Sequence, residues 1–260
     1  IQIYLWQEQK KTGEFRELIS PFLKQKMDEI KGKFGEESTE YSSLSKQYLT
    51  SSFEKETNSS DRFRHYQSEV NVYYDNKPLS GVERLYKRTI LIEPTTVCAA
   101  HCRWCLRAEY PVQTMTKEDI TLAAKYFGST EVSDDLDEVL ITGGDPLMSL
   151  PLLEFTISEI NKYAENIKII RIGSRVPFQD PERINDKMLE MFSNFSNLRF
   201  ELGVNVNHPI EFWEESIKSI KKLQKANFKI YNQHPLLKGV NDNFKTLATL
   251  YDLLRKNDIE

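Results

Sequence analysis

The only cysteines in this 260-residue chain fall within eight consecutive positions, Cys98-Ala99-Ala100-His101-Cys102-Arg103-Trp104-Cys105. Three thiolates at C-x3-C-x2-C spacing can hold three corners of an iron–sulfur cube and leave the fourth iron without a protein ligand. Thiolates are the ligands such clusters require, and an open metal position distinguishes a catalytic site from a structural one. A tetrahedral structural zinc site wants a fourth ligand. His101 sits between the cysteines, but no second C-x2-C or H-x3-H pair lies elsewhere. A disulfide framework wants an even count and wider spacing. The plain alternative is three reduced structural thiols or an adventitious metal site.

Further polar blocks follow downstream. Gly143-Gly144-Asp145-Pro146 combines two glycines, which permit close backbone approach to a ligand and positive φ, with a carboxylate suited to an ammonium. The plain reading is a tight turn. Gly173-Ser174-Arg175-Val176-Pro177 offers the planar fork of Arg175, suited to a carboxylate; the plain reading is an arginine closing a loop. Asn205-Val206-Asn207-His208-Pro209, Asn232-Gln233-His234 and Leu236-Leu237-Lys238-Gly239-Val240-Asn241-Asp242 carry amides suited to hydroxyls and carboxylates. Taken singly each reads as a loop cap, and His208 and His234, both before prolines, read as structural.

The elements that must position these blocks alternate. Thr89–Glu93 reads as a buried strand leading into the cysteines, and Thr116 with an acid three residues on starts a helix through Phe127. Strands follow at Glu138–Thr142, Lys168–Ile172, Leu198–Val204 and Phe228–Asn232. Helices follow them at about 152–163, 181–192, 210–226 and 244–255. Strand and helix in strict alternation imply parallel strands joined by right-handed crossovers. The expected fold class is therefore α/β, a partial (β/α) barrel over 81–260, its working face at the strand C-terminal ends. Every polar block named above sits at such an end. Residues 1–80 read as a helical and irregular extension: a helix to about 34, with Pro21 starting or kinking it, then polar chain with one short helix over Tyr41–Leu49. The chain opens on Ile1 and closes on a helix-like segment where a strand would be expected, so the last barrel unit or units are expected to lie outside it.

Apolar residues make up 39% and charged residues 28%, with a net charge of −4. That is ordinary for a soluble protein and gives no electrostatic footprint for nucleic acid. No apolar run approaches membrane-spanning length, and no signal-peptide pattern opens the sequence. Unpaired thiols point to a reducing cytoplasm.

The cysteine spacing resembles that of the radical S-adenosylmethionine superfamily. The blocks Arg171-Ile172-Gly173-Ser174-Arg175-Val176-Pro177, Asn207-His208-Pro209, Asn232-Gln233 and 236–242 narrow the resemblance to the lysine 2,3-aminomutase family, from about Gly81 to Asp242. That resemblance implies a [4Fe–4S] cluster on Cys98, Cys102 and Cys105, with the open iron chelated by S-adenosylmethionine. It implies that Trp104 lies beside the adenine, and that Gly143, Gly144, Asp145, Ser174, Arg175 and Gln233 face S-adenosylmethionine. It implies that Arg107 pairs with the substrate carboxylate. Arg84-Leu85-Tyr86-Lys87-Arg88 resembles the family's Arg-Tyr-Pro-Asp-Arg, so Arg84 and Arg88 are expected at the phosphate of pyridoxal 5′-phosphate.

The implied function is an isomerase that moves an α-amino group to the β-carbon through a 5′-deoxyadenosyl radical and a pyridoxal phosphate imine. The implied partners are an amino-acid substrate, an electron donor such as flavodoxin or ferredoxin, and another copy of the chain. The sequence also departs from the family. Proline and aspartate are missing from the 84–88 block, the tyrosine is displaced, and Asn205 stands where the family has histidine. The family's Schiff-base lysine falls beyond Glu260. Those departures keep a second reading open: a radical enzyme that works without pyridoxal phosphate, on another amino acid or on a protein-borne lysine. A non-catalytic iron–sulfur binding module is the third.

Overall fold

A computed structural model describes residues 16–51, 72–105 and 113–260. Ser20 caps the first helix, α1 (Pro21–Phe34), its Oγ accepting from Leu23 N at 3.1 Å with Pro21 at the first helical position. Proline thus starts the helix rather than kinking it. Residues 16–20, expected to be helical, are not. Ser38 caps α2 (Thr39–Tyr48) in the same way. The two helices share a small core of Leu23, Met27, Ile30, Leu44 and Tyr48, and Ala100 of the cysteine loop belongs to it. The extension therefore packs on the loop itself.

A hairpin follows, β1 (Tyr73–Tyr74) and β2 (Lys77–Pro78), turned through Asp75 and Asn76 at positive φ; the sequence reading did not anticipate it. Next come β3 (Val82–Glu83), β4 (Thr89–Thr95), β5 (Glu138–Gly143), β6 (Ile169–Gly173), β7 (Arg199–Val204) and β8 (Lys229–Asn232). They form one sheet in sequential order, with β3 antiparallel to β4 and β4 through β8 all parallel. Helices α3 (Lys117–Phe127), α4 (Leu150–Tyr163), α5 (Val176–Gln179), α6 (Asp186–Ser193), α7 (Glu214–Lys225) and α8 (Phe244–Lys256) fill the connections and follow β8. This is the expected partial (β/α) barrel. Among the described residues no pairing closes β8 onto β3. Glu260 instead exchanges hydrogen bonds with Ile230 and Asn232 along the outer edge of β8.

Alternation along the strands sorts the two faces. Ile90, Ile92, Val139, Ile141, Ile170, Ile172, Leu202 and Ile230 are buried with the helices in the main core. Intervening positions of β5, β6 and β7 include charged residues. Arg171 bridges Glu138 on one neighbouring strand (3.1 Å) and Glu201 on the other (2.9 Å), and Arg199 also pairs with Glu201. The two Arg171 bridges are cross-strand pairs, Arg199–Glu201 lies within β7, and all three lie on the face away from the helices, the interior of the barrel. Two expected helices start late: the chain first makes 3-10 turns at Pro181–Arg183 and Pro209–Glu211, and α6 and α7 follow. No helix among the described residues is long and apolar enough to cross a membrane.

Candidate active site

The loop that bears the cysteines leaves the C-terminal end of β4 and is clamped from two sides. On one side the Gly143-Gly144-Asp145 turn closes on the chain just before Cys98: Gly144 N donates to Thr95 O at 2.7 Å and Asp145 N to Val97 O at 2.8 Å. A Cβ on Gly144 would stand 2.4 Å from the Thr96 carbonyl carbon, and one on Gly143 (φ +105°) 2.8 Å from Thr95 O. These glycines therefore permit close approach between two backbones of this chain. On the other side the extension holds the loop, with His101 N donating to Leu18 O at 2.8 Å and Arg103 N to Gln47 O at 2.9 Å. The three cysteines are half-buried and none is joined in a disulfide.

Asp145 joins β5 to β6. Its carboxylate accepts from Ser174 Oγ (2.7 and 2.9 Å), Arg175 N (2.8 Å), Val176 N (3.1 Å) and Leu147 N (3.1 Å). Burial pushes its pKa up, against the pull of those donors. Asp145 and Ser174 are thus bonded to each other inside the fold.

Arg175 is buried at the centre of the site. Its Nη1 donates to Cys102 Sγ at 3.1 Å, and its Nη2 reaches Glu211 Oε2 at 2.8 Å and Gln47 Oε1 at 3.2 Å. Its guanidinium lies 4.9 Å from the Trp104 ring and 5.2 Å from the Tyr48 ring. Burial of Tyr48 drives its phenol pKa upward, so that ring stays neutral. Glu211 is fully buried. Its Oε1 accepts from Asn207 N (3.0 Å), His208 N (2.9 Å) and Gln47 Nε2 (3.2 Å). Gln47 Oε1 also accepts from Asn207 Nδ2 at 2.9 Å. Glu211, Gln47 and Gln179 were not singled out from sequence. A glutamate three residues after the His208 cap was the available signal for the first.

The remaining expected residues divide. Gln233 lies over Gly203, where an added Cβ would stand 2.9 Å from Oε1. Gly203 pairs in register with Gly173, so small residues floor this part of the rim. Asn232, at the end of β8, bonds across to Val206 in the loop after β7, Asn241 caps its own loop through Leu237 and Pro235, and His208 Nδ1 accepts from Ile210 N at 3.2 Å. Arg84 and Arg88 are not brought to the rim. Arg88 immediately precedes β4, at the opposite end of that strand from the cysteine loop, and pairs with Asp137; Arg84 bonds to Lys87 O. Arg107 lies outside the described residues.

The donor set fits an iron–sulfur cube. Among the described residues no three His, Cys, Asp or Glu side chains converge on a single-ion site, and a cube does not ask them to, because each thiolate binds a different iron. Arg175 Nε and Asn207 Oδ1 are buried without a hydrogen-bond partner among the described residues, which suits the approach of a polar cofactor.

The family described as the Radical SAM superfamily matches residues 92–251. A putative L-lysine 2,3-aminomutase of Aquifex aeolicus is 35% identical over 184 residues, 67% of this chain and 48% of that protein. The L-lysine 2,3-aminomutase of Buchnera aphidicola is 34% identical over 185 residues, covering 69% and 52%. That of Clostridium subterminale is 32% identical over 185 residues, covering 70% and 43%. The chain spans about half the length of these curated relatives.

Proposed function

Because the chain belongs to the radical SAM superfamily, we propose that Cys98, Cys102 and Cys105 hold a [4Fe–4S] cluster with one open iron. We propose further that the protein is an isomerase shifting the α-amino group of an amino acid to its β-carbon. What carries this reading is the cysteine loop fixed at the sheet's C-terminal rim between the 143–145 turn and the extension. Relatives named L-lysine 2,3-aminomutase support the choice of reaction.

When bound, the cluster and S-adenosylmethionine supply a 5′-deoxyadenosyl radical able to take a hydrogen atom from substrate. The protein's task is position and exclusion. The 143–145 turn holds the chain entering Cys98, Arg103 and His101 anchor the loop to the extension, and α1 and α2 cover it. Arg175 Nε and Asn207 Oδ1 remain to bind polar groups of S-adenosylmethionine, with Trp104 stacked on the Arg175 guanidinium, and Gln233 is assigned to the same cofactor. Arg107 is assigned to the substrate carboxylate, and a flavodoxin- or ferredoxin-like donor to the electron.

One observation favours a second reading, a radical SAM enzyme that works without pyridoxal phosphate on another amino acid or a protein-borne lysine. Arg88 is paired with Asp137 at the far end of β4, so the arginines expected at the phosphate are not gathered with the cysteines.

The test is to reduce anaerobically reconstituted protein with S-adenosylmethionine and an amino acid. Release of 5′-deoxyadenosine together with a β-amino product supports the first reading. Its release without such a product, in protein that carries no pyridoxal chromophore, supports the second. No release from a loaded cluster removes both.

A further inference from the structure

The network around Cys102 has a chemical consequence beyond holding the loop. Two side chains aim N–H groups at one sulfur: Arg175 Nη1 at 3.1 Å and Gln179 Nε2 at 3.6 Å. Both distances suit a sulfur acceptor, which is larger than oxygen, and both residues are buried. The Arg175 guanidinium and the Gln179 backbone are both held. Arg175 is held by Glu211 and Gln47. Gln179 ends the short α5, its backbone N bonded to Arg175 O at 2.9 Å and its carbonyl accepting from Ser20 Oγ.

We infer that Arg175 and Gln179 set the reduction potential of the cluster through hydrogen bonds to the Cys102 sulfur, with the N-terminal extension holding both donors in place. The inference rests on the cluster assignment proposed above. Its physics is direct. Reduction adds one electron, part of whose charge resides on the sulfurs. A donor dipole or a guanidinium beside a ligating sulfur therefore stabilises the reduced state more than the oxidised one and raises the potential. Burial strengthens the effect by lowering the local dielectric. Ser20, before α1, and Gln47, on α2, act at one remove as positioning residues. The extension would thus be a part of the redox centre as well as its cover.

The experiment is a potentiometric titration of the full chain, anaerobically reconstituted without S-adenosylmethionine and followed by electron paramagnetic resonance of the reduced cluster. Gln179→Met keeps the volume and removes the donor; Gln179→Glu replaces it with an anion. Gln25→Met, on the exposed side of α1 where Gln25 bonds to Glu29, is the control. The expected result for Gln179→Met is a lower midpoint potential. At fixed potential the reduced-to-oxidised ratio falls by about tenfold, which is about 59 mV for a one-electron couple. Gln179→Glu should fall further, and the control should match wild type, all at equal iron content. If Gln179→Met yields little folded protein, Gln47→Met, which loosens Arg175, carries the same expectation. Variants with a full cluster and an unmoved potential overturn the inference and leave the proposed function standing. A wild-type chain that assembles no cluster removes that function and this inference with it.

Discussion

Arg175 and Glu211 form an ion pair, 2.8 Å from Nη2 to Oε2, in which the carboxylate is wholly buried and the guanidinium nearly so. It joins the loop after β6 to the turn that precedes α7, and Gln47 of the extension bonds to both partners. Two charges withdrawn from water are costly, and their attraction offsets that cost only while both remain. Removing one strands the other. Glu211→Ala is therefore expected to destabilise the protein by about 3–5 kcal/mol, read from the denaturant midpoint at unchanged slope. A loss below about 1 kcal/mol would mean that water reaches this pair.

The glycines give a prediction of opposite sign at two sites. Gly144→Ala places a Cβ 2.4 Å from the Thr96 carbonyl carbon, so the turn must move away from the strand that carries Cys98. Reconstituted Gly144→Ala should bind markedly less iron per chain than wild type. Gly32, near the end of α1, has nothing within 4 Å of such a Cβ. Gly32→Ala should stabilise by about 0.5–1 kcal/mol, the helix preference for alanine, with iron content unchanged.

His208 predicts a pH dependence. Burial depresses its pKa below the ordinary histidine value, and its Nδ1 must stay unprotonated to accept from Ile210 N. A depressed folded pKa means that the unfolded chain takes up the proton first as pH falls. Stability is then complete above about pH 6.5, the unfolded value, and declines as pH drops toward the folded pKa. His234 is also depressed by burial, so the informative quantity is a difference. His208→Asn, which keeps a capping acceptor, should show a shallower fall in Tm between neutral and mildly acidic pH than wild type. Parallel curves would exclude the assignment.

The elements were legible where hydrophobic periodicity is strong. Ile90 and Ile92, Val139 and Ile141, Ile170 and Ile172 mark strands because each is a buried alternating pair. Alternation with helices then dictates parallel order. The cysteine loop was legible from spacing alone. Gln47 and Glu211 were not, because their importance comes from a contact between residues 164 apart in sequence, and nothing local marks a glutamine within a polar helix. Asp145 was legible as a polar residue at a strand end, but not as the acceptor of Ser174 Oγ and three backbone N–H groups, which depends on where the next strand's loop falls. The place of the 84–88 block in the fold was illegible for the same reason. Its arginines resemble a phosphate site by type, while the start of β4 puts Arg88 at the other end of the sheet.

The central claim is that three sulfurs on one loop hold an iron cube with a vacant corner at which S-adenosylmethionine is chelated. Its most direct measurement is the electron paramagnetic resonance spectrum of the reduced, anaerobically reconstituted protein before and after S-adenosylmethionine is added. The account predicts a [4Fe–4S] signal that changes on addition and is lost in Cys98→Ala, Cys102→Ala and Cys105→Ala. A zinc-loaded protein, or a cluster whose spectrum ignores S-adenosylmethionine, would contradict it.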